Sequence, residues 1–116
     1  MVEPRAPATQ PLGSVAVLTT MLTSYYTSAG VTSAIDQCTV TNISNQRVRV
    51  MGLHLVPAGQ QASDTTAVVV RVMLLPFETY ICDEMVNQIL ASGDSVYGSA
   101  DQDGVVVLRM SGRVGV

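Results

Sequence analysis

The only histidine of the sequence, His54, is the residue on which any histidine-dependent catalytic site would rely. It lies between Leu53 and Leu55 in a strand-like run, and no Gly-x-Ser-x-Gly motif accompanies it. A Ser-His-Asp or Cys-His site needs a nucleophile and an orienting group held around the imidazole. We therefore expect a surface histidine beside Arg47 and Arg49, and no catalytic residue.

Carboxylates offer two further arrangements, and neither fits a known kind of site. Asp94, Asp101 and Asp103 resemble part of a calcium loop, but an EF-type loop spreads its ligands over about twelve residues and ends in glutamate. Here the segment runs directly into the apolar sequence VVVLRM, which predicts a hairpin turn stabilised by aspartate side chains. Asp83 and Glu84 are adjacent, so on a strand they point to opposite faces and do not form a glycosidase pair.

Cys38 and Cys82 are the only cysteines of the chain. A single disulfide between them is one alternative, but a cytoplasmic product favours two buried free thiols that act as small apolar side chains. Glycine-rich phosphate loops and metal-spaced Cys or His clusters are absent from the sequence. We expect no cofactor, no metal, no small-molecule substrate and no enzymatic activity.

Charge and hydropathy argue against two classes of partner. The chain of 116 residues has a net charge of -3 and contains no lysine, so no basic face is expected to bind nucleic acid. No run of about 18 apolar residues is present, and the N-terminus lacks the pattern of a secretion signal. We expect a soluble protein made in the cytoplasm, without nucleic-acid or membrane partners.

Runs of β-branched and aromatic residues, separated by Gly, Pro, Asn and Asp, predict about eight short strands. Strands at this spacing are typical of an antiparallel sandwich, so we expect an all-β, jelly-roll-like β-sandwich over residues 14–116. The segment 84–90 is the one stretch that favours a helix.

The strand RVRVMGLHLVP keeps its apolar residues on one face only if it contains an extra residue. We predict a one-residue bulge at Met51 and Gly52. The bulge would direct Val48, Val50, Leu53 and Leu55 into the core, and Arg47, Arg49 and His54 towards solvent.

The following strand, TTAVVVRVMLLP, is apolar on both of its faces. Strict alternation places Val69, Arg71, Met73 and Leu75 on one face, and Val68, Val70, Val72 and Leu74 on the other. A domain of this size covers only one such face with its own core, so the other is expected to contact a second subunit or another protein. We assign partner contacts to Val69, Arg71 and Met73.

The N-terminal segment MVEPRAPATQPLG, residues 1–13, forms an extended arm in this prediction. Its prolines favour an extended path, and thirteen residues reach on the order of 40 Å at about 3.1 Å each. The arm offers few apolar anchors to its own domain, so we expect a partner to order it. The predicted contacts are Val2, Glu3, Pro4, Arg5, Pro7, Pro11 and Leu12, with Glu3 and Arg5 polar and Val2 or Leu12 filling small pockets.

Five stretches in this order carry a family resemblance: LTTMLTSYYTSAGVTSAI, LHLVPAGQQASD, LLPFETYICDEM, ILASGDSVYGSA and VVLRMSG. They resemble a group of small virion proteins of tailed bacteriophages, over about residues 17–112. Two positions depart from the family pattern. Ser28 stands where a proline is usual, and the sequence PFET replaces a Pro-Gly-Glu-Thr turn.

The resemblance implies a β-sandwich that serves as a building block of the phage particle, with no catalytic residues. The alternative that we favour is a capsid cement (decoration) protein, made in the bacterial cytoplasm, that bridges major capsid protein subunits on the shell and stabilises the head. Such a protein is present in many copies or as a homo-oligomer. The other is a tail or fibre component, although the chain lacks coiled-coil heptads. A small hydrolase or carbohydrate-binding module is disfavoured, because no Trp and one Phe give a poor sugar platform.

Overall fold

The alternating runs of the sequence form ten strands in a computed structural model of the protein, which describes residues 8–115. The strands are β1 (Gln10–Pro11), β2 (Ala16–Val17), β3 (Thr23–Thr27), β4 (Ser33–Asn42), β5 (Val48–Val56), β6 (Ala67–Leu74), β7 (Thr79–Ile81), β8 (Ile89–Leu90), β9 (Ser95–Ala100) and β10 (Val106–Val114). Two 3-10 turns, Asp64–Thr66 and Asp83–Met85, precede β6 and β8. No helix in the described part of the chain is long and apolar enough to cross a membrane.

The strands form two sheets that pack against each other. Sheet A has the strand order β1-β10-β4-β7, with β2 also paired to β10 and β8 to β4, and sheet B has the order β3-β9-β5-β6. Every strand pair is antiparallel. Two antiparallel sheets around a common core form a β-sandwich, so the predicted all-β sandwich is confirmed. A jelly-roll order of the strands stays a prediction.

Side chains from the inner faces of both sheets fill one hydrophobic core. The largest of the fully buried residues are Leu12, Leu18, Ile35, Leu53, Leu74, Met85, Leu90 and Leu108. Along β4, buried Cys38, Val40 and Asn42 alternate with partly exposed Thr39 and Thr41, as expected for a strand with one face in the core.

The bulge predicted in β5 is confirmed. Towards β9, Val50 pairs with Ala100 and Gly52 pairs with Ser99, so Met51 is the extra residue. The side chains of Val48, Val50 and Leu53 are buried as predicted, and Leu55 is half-buried against the core.

The prediction for β6 is wrong in part, because strict alternation fails within the strand. Arg71 adopts a left-handed backbone conformation with φ 52°, opposite the bulge of β5. As a result, Val70 and Arg71 are both exposed, whereas Val69 faces inward with only 2% of its surface exposed. Val69 therefore belongs to the protein's own core and does not offer a partner contact, while Arg71 and Met73 remain exposed.

The helix predicted over 84–90 is also wrong. A single 3-10 turn covers Asp83–Met85, and the chain is already extended at Ile89–Leu90 in β8. Between them Asn87 has φ 68°, and asparagine tolerates this left-handed conformation better than most residues. The left-handed residue ends the turn before a helix can propagate.

The described part of the predicted arm joins the sandwich. Gln10 and Pro11 form β1 on the edge of β10, where a proline is tolerated because its missing N–H lies outside the sheet. Leu12 is 1% exposed and its N–H donates to the Met110 carbonyl at 3.0 Å. As a correction, Leu12 fills the protein's own core and not a pocket on a partner. The contacts predicted for Val2, Glu3, Pro4, Arg5 and Pro7 lie outside the described residues.

Candidate interaction surface

His54 is a structural residue and not an exposed one, contrary to the prediction. It pairs with Tyr97 on the outer face of sheet B, but the loop between β5 and β6 covers it and leaves it 9% exposed. Its Nδ1 atom lies 3.1 Å from the Ser63 carbonyl oxygen and 2.9 Å from Thr66 Oγ1. Ser63 and Thr66 also bond each other as a cap of the 3-10 turn. The imidazole therefore holds this loop on the sheet.

The aspartates considered for calcium bind separate backbone segments. Asp101 Oδ1 accepts from the Arg49 N–H at 2.9 Å, and Asp103 Oδ1 accepts from the Thr20 N–H at 2.7 Å. The carboxylate of Asp94 accepts from two other backbone N–H groups. The predicted turn at 101–104 is present, but these aspartates tie it to neighbouring segments. Across residues 8–115 no three His, Cys, Asp or Glu side chains are grouped to hold a metal.

Glu84 bonds a tyrosine and does not pair with a second acid. The Tyr80 hydroxyl donates to the two carboxylate oxygens of Glu84 at 2.7 and 2.9 Å. This hydrogen bond, more than burial, raises the pKa of Tyr80 to about 12, because the phenol donates only while it is protonated. The pair anchors the 3-10 turn to β7.

Cys38 and Cys82 are free and buried, which confirms the prediction. Cys38 lies on β4 and Cys82 directly after β7, and the Cys82 N–H donates to the Cys38 carbonyl at 2.9 Å. The hydrogen bond with the Cys82 side chain, together with burial, raises the pKa of the Cys38 thiol well above its usual range. A protonated, buried thiol is a poor nucleophile, so the pair acts as packing.

Exposed apolar side chains and arginines occur together on the outer side of β5 and β6, which we call the β5–β6 face. Its outward or exposed side chains are Arg47, Arg49, Met51, Val70, Arg71, Met73 and Leu75. Arg49 pairs directly with Met73, and the same register sets Arg47 beside Leu75 and Met51 beside Arg71. Each arginine therefore has an exposed apolar residue as its cross-strand neighbour, at side-chain contact distance.

A groove of about 740 Å³ borders this face. It is lined by Met51, Val70 and Ser99 from the sheet, by Leu22 before β3, and by Ser63 and Asp64 from the loop between β5 and β6. His54 supports the groove from beneath the loop. A hypothetical Cβ on residue 52 would lie 2.8 Å from His54 Nε2, so glycine is required there for the ring to pack against β5.

Two bulky residues have strained backbones, Arg71 on the β5–β6 face and Phe77 in the turn after β6. Three non-glycine residues in the described chain have positive φ, and two of them, Arg71 and Phe77, are bulky. Left-handed conformation costs a residue with a side chain roughly 1–2 kcal/mol. Phe77, the third residue of the tight turn after β6, is 68% exposed and has φ 58°. Both side chains are exposed, so burial within the protein does not offset the free-energy cost of these backbone conformations.

Of the predicted partner-binding residues, the structure thus brings Arg71 and Met73 together on one surface. Pro11 is exposed on the far sheet. Residue types alone do not place Met51 and Val70 on this surface, because the left-handed conformation of Arg71, which exposes Val70, has no signal in the sequence. The predicted bulge at Met51 was the one available signal.

Comparison with models of known protein families, with curated proteins and with solved structures finds no significant match to this chain. The chemistry of the described surface therefore carries the functional argument.

Proposed function

We propose that the chain is a structural protein of a tailed bacteriophage particle, and specifically a cement protein that docks on the capsid and bridges major capsid protein subunits. The motif resemblance over about residues 17–112 supports the phage assignment. A binding role fits the described side chains, since His54 and the three aspartates considered for calcium bond the protein's own loops and turns, and both cysteines are buried.

One observation carries the proposal: the β5–β6 face exposes apolar side chains among its arginines, where a solvated sheet face is normally polar. Met51, Val70 and Met73 are exposed on it, and Leu22 stands at the edge of the adjoining groove. Antiparallel sheets with one face in water usually alternate apolar and polar residues. Contiguous exposed apolar side chains mark a surface that binds another macromolecule. A protein present on a shell in many copies would bury this face against its neighbours.

The N-terminal segment adds a second contact in this proposal. Its described part runs along β10 and is fixed by Leu12, so bridging to another subunit would fall to the residues before Ala8. The contacts of Val2, Glu3, Pro4, Arg5 and Pro7 with the major capsid protein stay a prediction.

The copy number of the chain in purified particles tests the proposal. Quantitative mass spectrometry against the major capsid protein should find the chain in hundreds of copies, in a fixed ratio to the shell subunits. A handful of copies per particle would favour the tail or fibre alternative. Complete absence from particles, with the chain present in infected cells, would contradict both structural roles.

A further inference from the structure

The strands of sheet B carry positive charge only. The strands of sheet B contain Arg49 and Arg71 and no acidic residue, although the whole chain has a net charge of -3. Arg47, one residue before β5, continues the same face by alternation and is exposed. The β5–β6 face is therefore cationic on an acidic protein.

These arginines have no acidic partner within the described chain. The one ion pair among residues 8–115 joins Arg113 to Asp36 at 3.2 Å, on sheet A. Asp64 lines the same groove as Arg71 but makes no ion pair with it, and the Asp101 carboxylate binds the Arg49 backbone N–H and not its guanidinium. The guanidinium groups of the β5–β6 face are thus left available for carboxylates from outside.

The exposed position of Val70 and Arg71 depends on a strained backbone conformation in β6. The left-handed conformation of Arg71 places Val70 and Arg71 side by side in the exposed layer, where regular alternation would bury one of them. Non-glycine residues with strained backbones occur preferentially at binding and active sites. The strained backbone therefore sets an apolar and a cationic side chain next to each other in the lining of the groove.

From this geometry we infer that the β5–β6 face docks an acidic protein segment whose apolar side chains enter the groove while its carboxylates pair with Arg49 and Arg71. The inference rests on the proposed function and names the chemistry of its partner, which is the exposed segment of the major capsid protein that this face contacts. Arginine forms two-pronged hydrogen bonds with carboxylates, and its methylene stem packs on apolar neighbours. The alternation of arginine with Met73, Met51 and Leu75 fits such a segment better than it fits nucleic acid, which offers no apolar side chains.

The test compares Arg71→Glu with Arg109→Glu, because Arg109 is an exposed arginine outside any ion pair but on the outer face of sheet A. Both variants of the full chain are added to shells that lack it, and occupancy is measured by sedimentation. We expect Arg71→Glu to weaken binding roughly tenfold or more, with Arg109→Glu close to wild type and salt weakening the wild type. Equal binding of both variants would overturn the inference. Val70→Ser, checked by circular dichroism, replaces Arg71→Glu if that variant does not fold.

A second experiment distinguishes this inference from the proposed function. The isotope-labelled chain is titrated with a synthetic peptide of leucines flanked by glutamates, and with a matched peptide that carries lysines. We expect amide shifts at Met51, Val70 and Arg71 with the acidic peptide alone. If the wild type binds no shell but gives these shifts, the cement role fails and the docking chemistry stands. Shifts with both peptides or with neither, or stronger binding to a DNA duplex, would contradict the inference.

Discussion

Gly52 and His54 fit together on β5 so closely that a methyl group on residue 52 would lie 2.8 Å from His54 Nε2. We expect Gly52→Ala to lower the free energy of unfolding by about 1–3 kcal/mol, since the ring that pins the β5–β6 loop must move. Urea denaturation measures the loss. In a His54→Ala background the same substitution should cost much less, and an unchanged cost would show that the ring is not the obstacle.

Phe77 stands at a turn position where glycine is free of strain. Because its φ of 58° penalises any side chain, we expect Phe77→Gly to raise stability by up to about 1 kcal/mol. Asn87→Gly is the matched control, since asparagine at φ 68° is strained less and should gain less. Thermal unfolding of both variants makes the comparison. A loss of stability on Phe77→Gly would mean that the phenyl ring makes a stabilising contact.

The Tyr80–Glu84 hydrogen bond predicts a specific pH dependence. The pKa of Tyr80 in the folded protein, about 12, lies above its usual value, so this bond stabilises the fold below about pH 10 and the contribution is lost as pH rises through 12. Ultraviolet titration of phenolate should show a late-titrating step for Tyr80 that is lost in Tyr80→Phe. Glu84→Gln should return that titration to the ordinary range.

Both thiols should be unreactive while the protein is folded. Cys38 and Cys82 are fully buried, and the raised pKa of Cys38 keeps it protonated. With a thiol-specific chromogenic reagent we expect almost no reaction in buffer and two thiols per chain in denaturant. Fewer than two in denaturant, restored by a reductant, would reveal a disulfide.

Shortening the N-terminus should separate folding from docking. Deleting residues 1–7 keeps β1 and Leu12, so we expect a stable sandwich that binds shells more weakly than the full chain. Leu12→Ala removes a buried side chain and should cost about 2–5 kcal/mol of stability. Circular dichroism and shell binding are measured for both. Full binding by the deletion variant would remove the arm from the proposed bridging role.

The sequence was informative where local alternation decides the structure. The two-residue period of strands with one face in the core predicted the sandwich, and a break in that period predicted the extra residue at Met51. The burial of His54 could not be inferred in this way, because it depends on a loop that folds over the outer face of the sheet. The residue types of Ser63 and Thr66 are compatible with a capped turn. They do not indicate that this turn covers His54.

The error at Val69 has a different cause. Arginine gives no hint of a left-handed conformation, so nothing in the sequence marks Arg71 as the residue that reverses the faces of β6. Ser28 shows the opposite case. At this departure from the family pattern, its hydroxyl donates to the Val31 carbonyl at 2.6 Å and bonds Ser33 Oγ at 2.7 Å. A proline at this position would lose both bonds.

Asp36 fastens both ends of the described chain, because its carboxylate accepts a hydrogen bond from Thr9 at 3.1 Å and pairs with Arg113. A short linker from β10 to β1 would therefore close a hairpin that already exists in space, since Gln10 lies opposite Gly112. The fold is thus suited to circular permutation, with new ends opened at the exposed loop tip near Gln60. In the present chain, β1 and β10 pair across one of the longest loops in the protein. In the permuted chain, the same pairing would close one of the shortest loops.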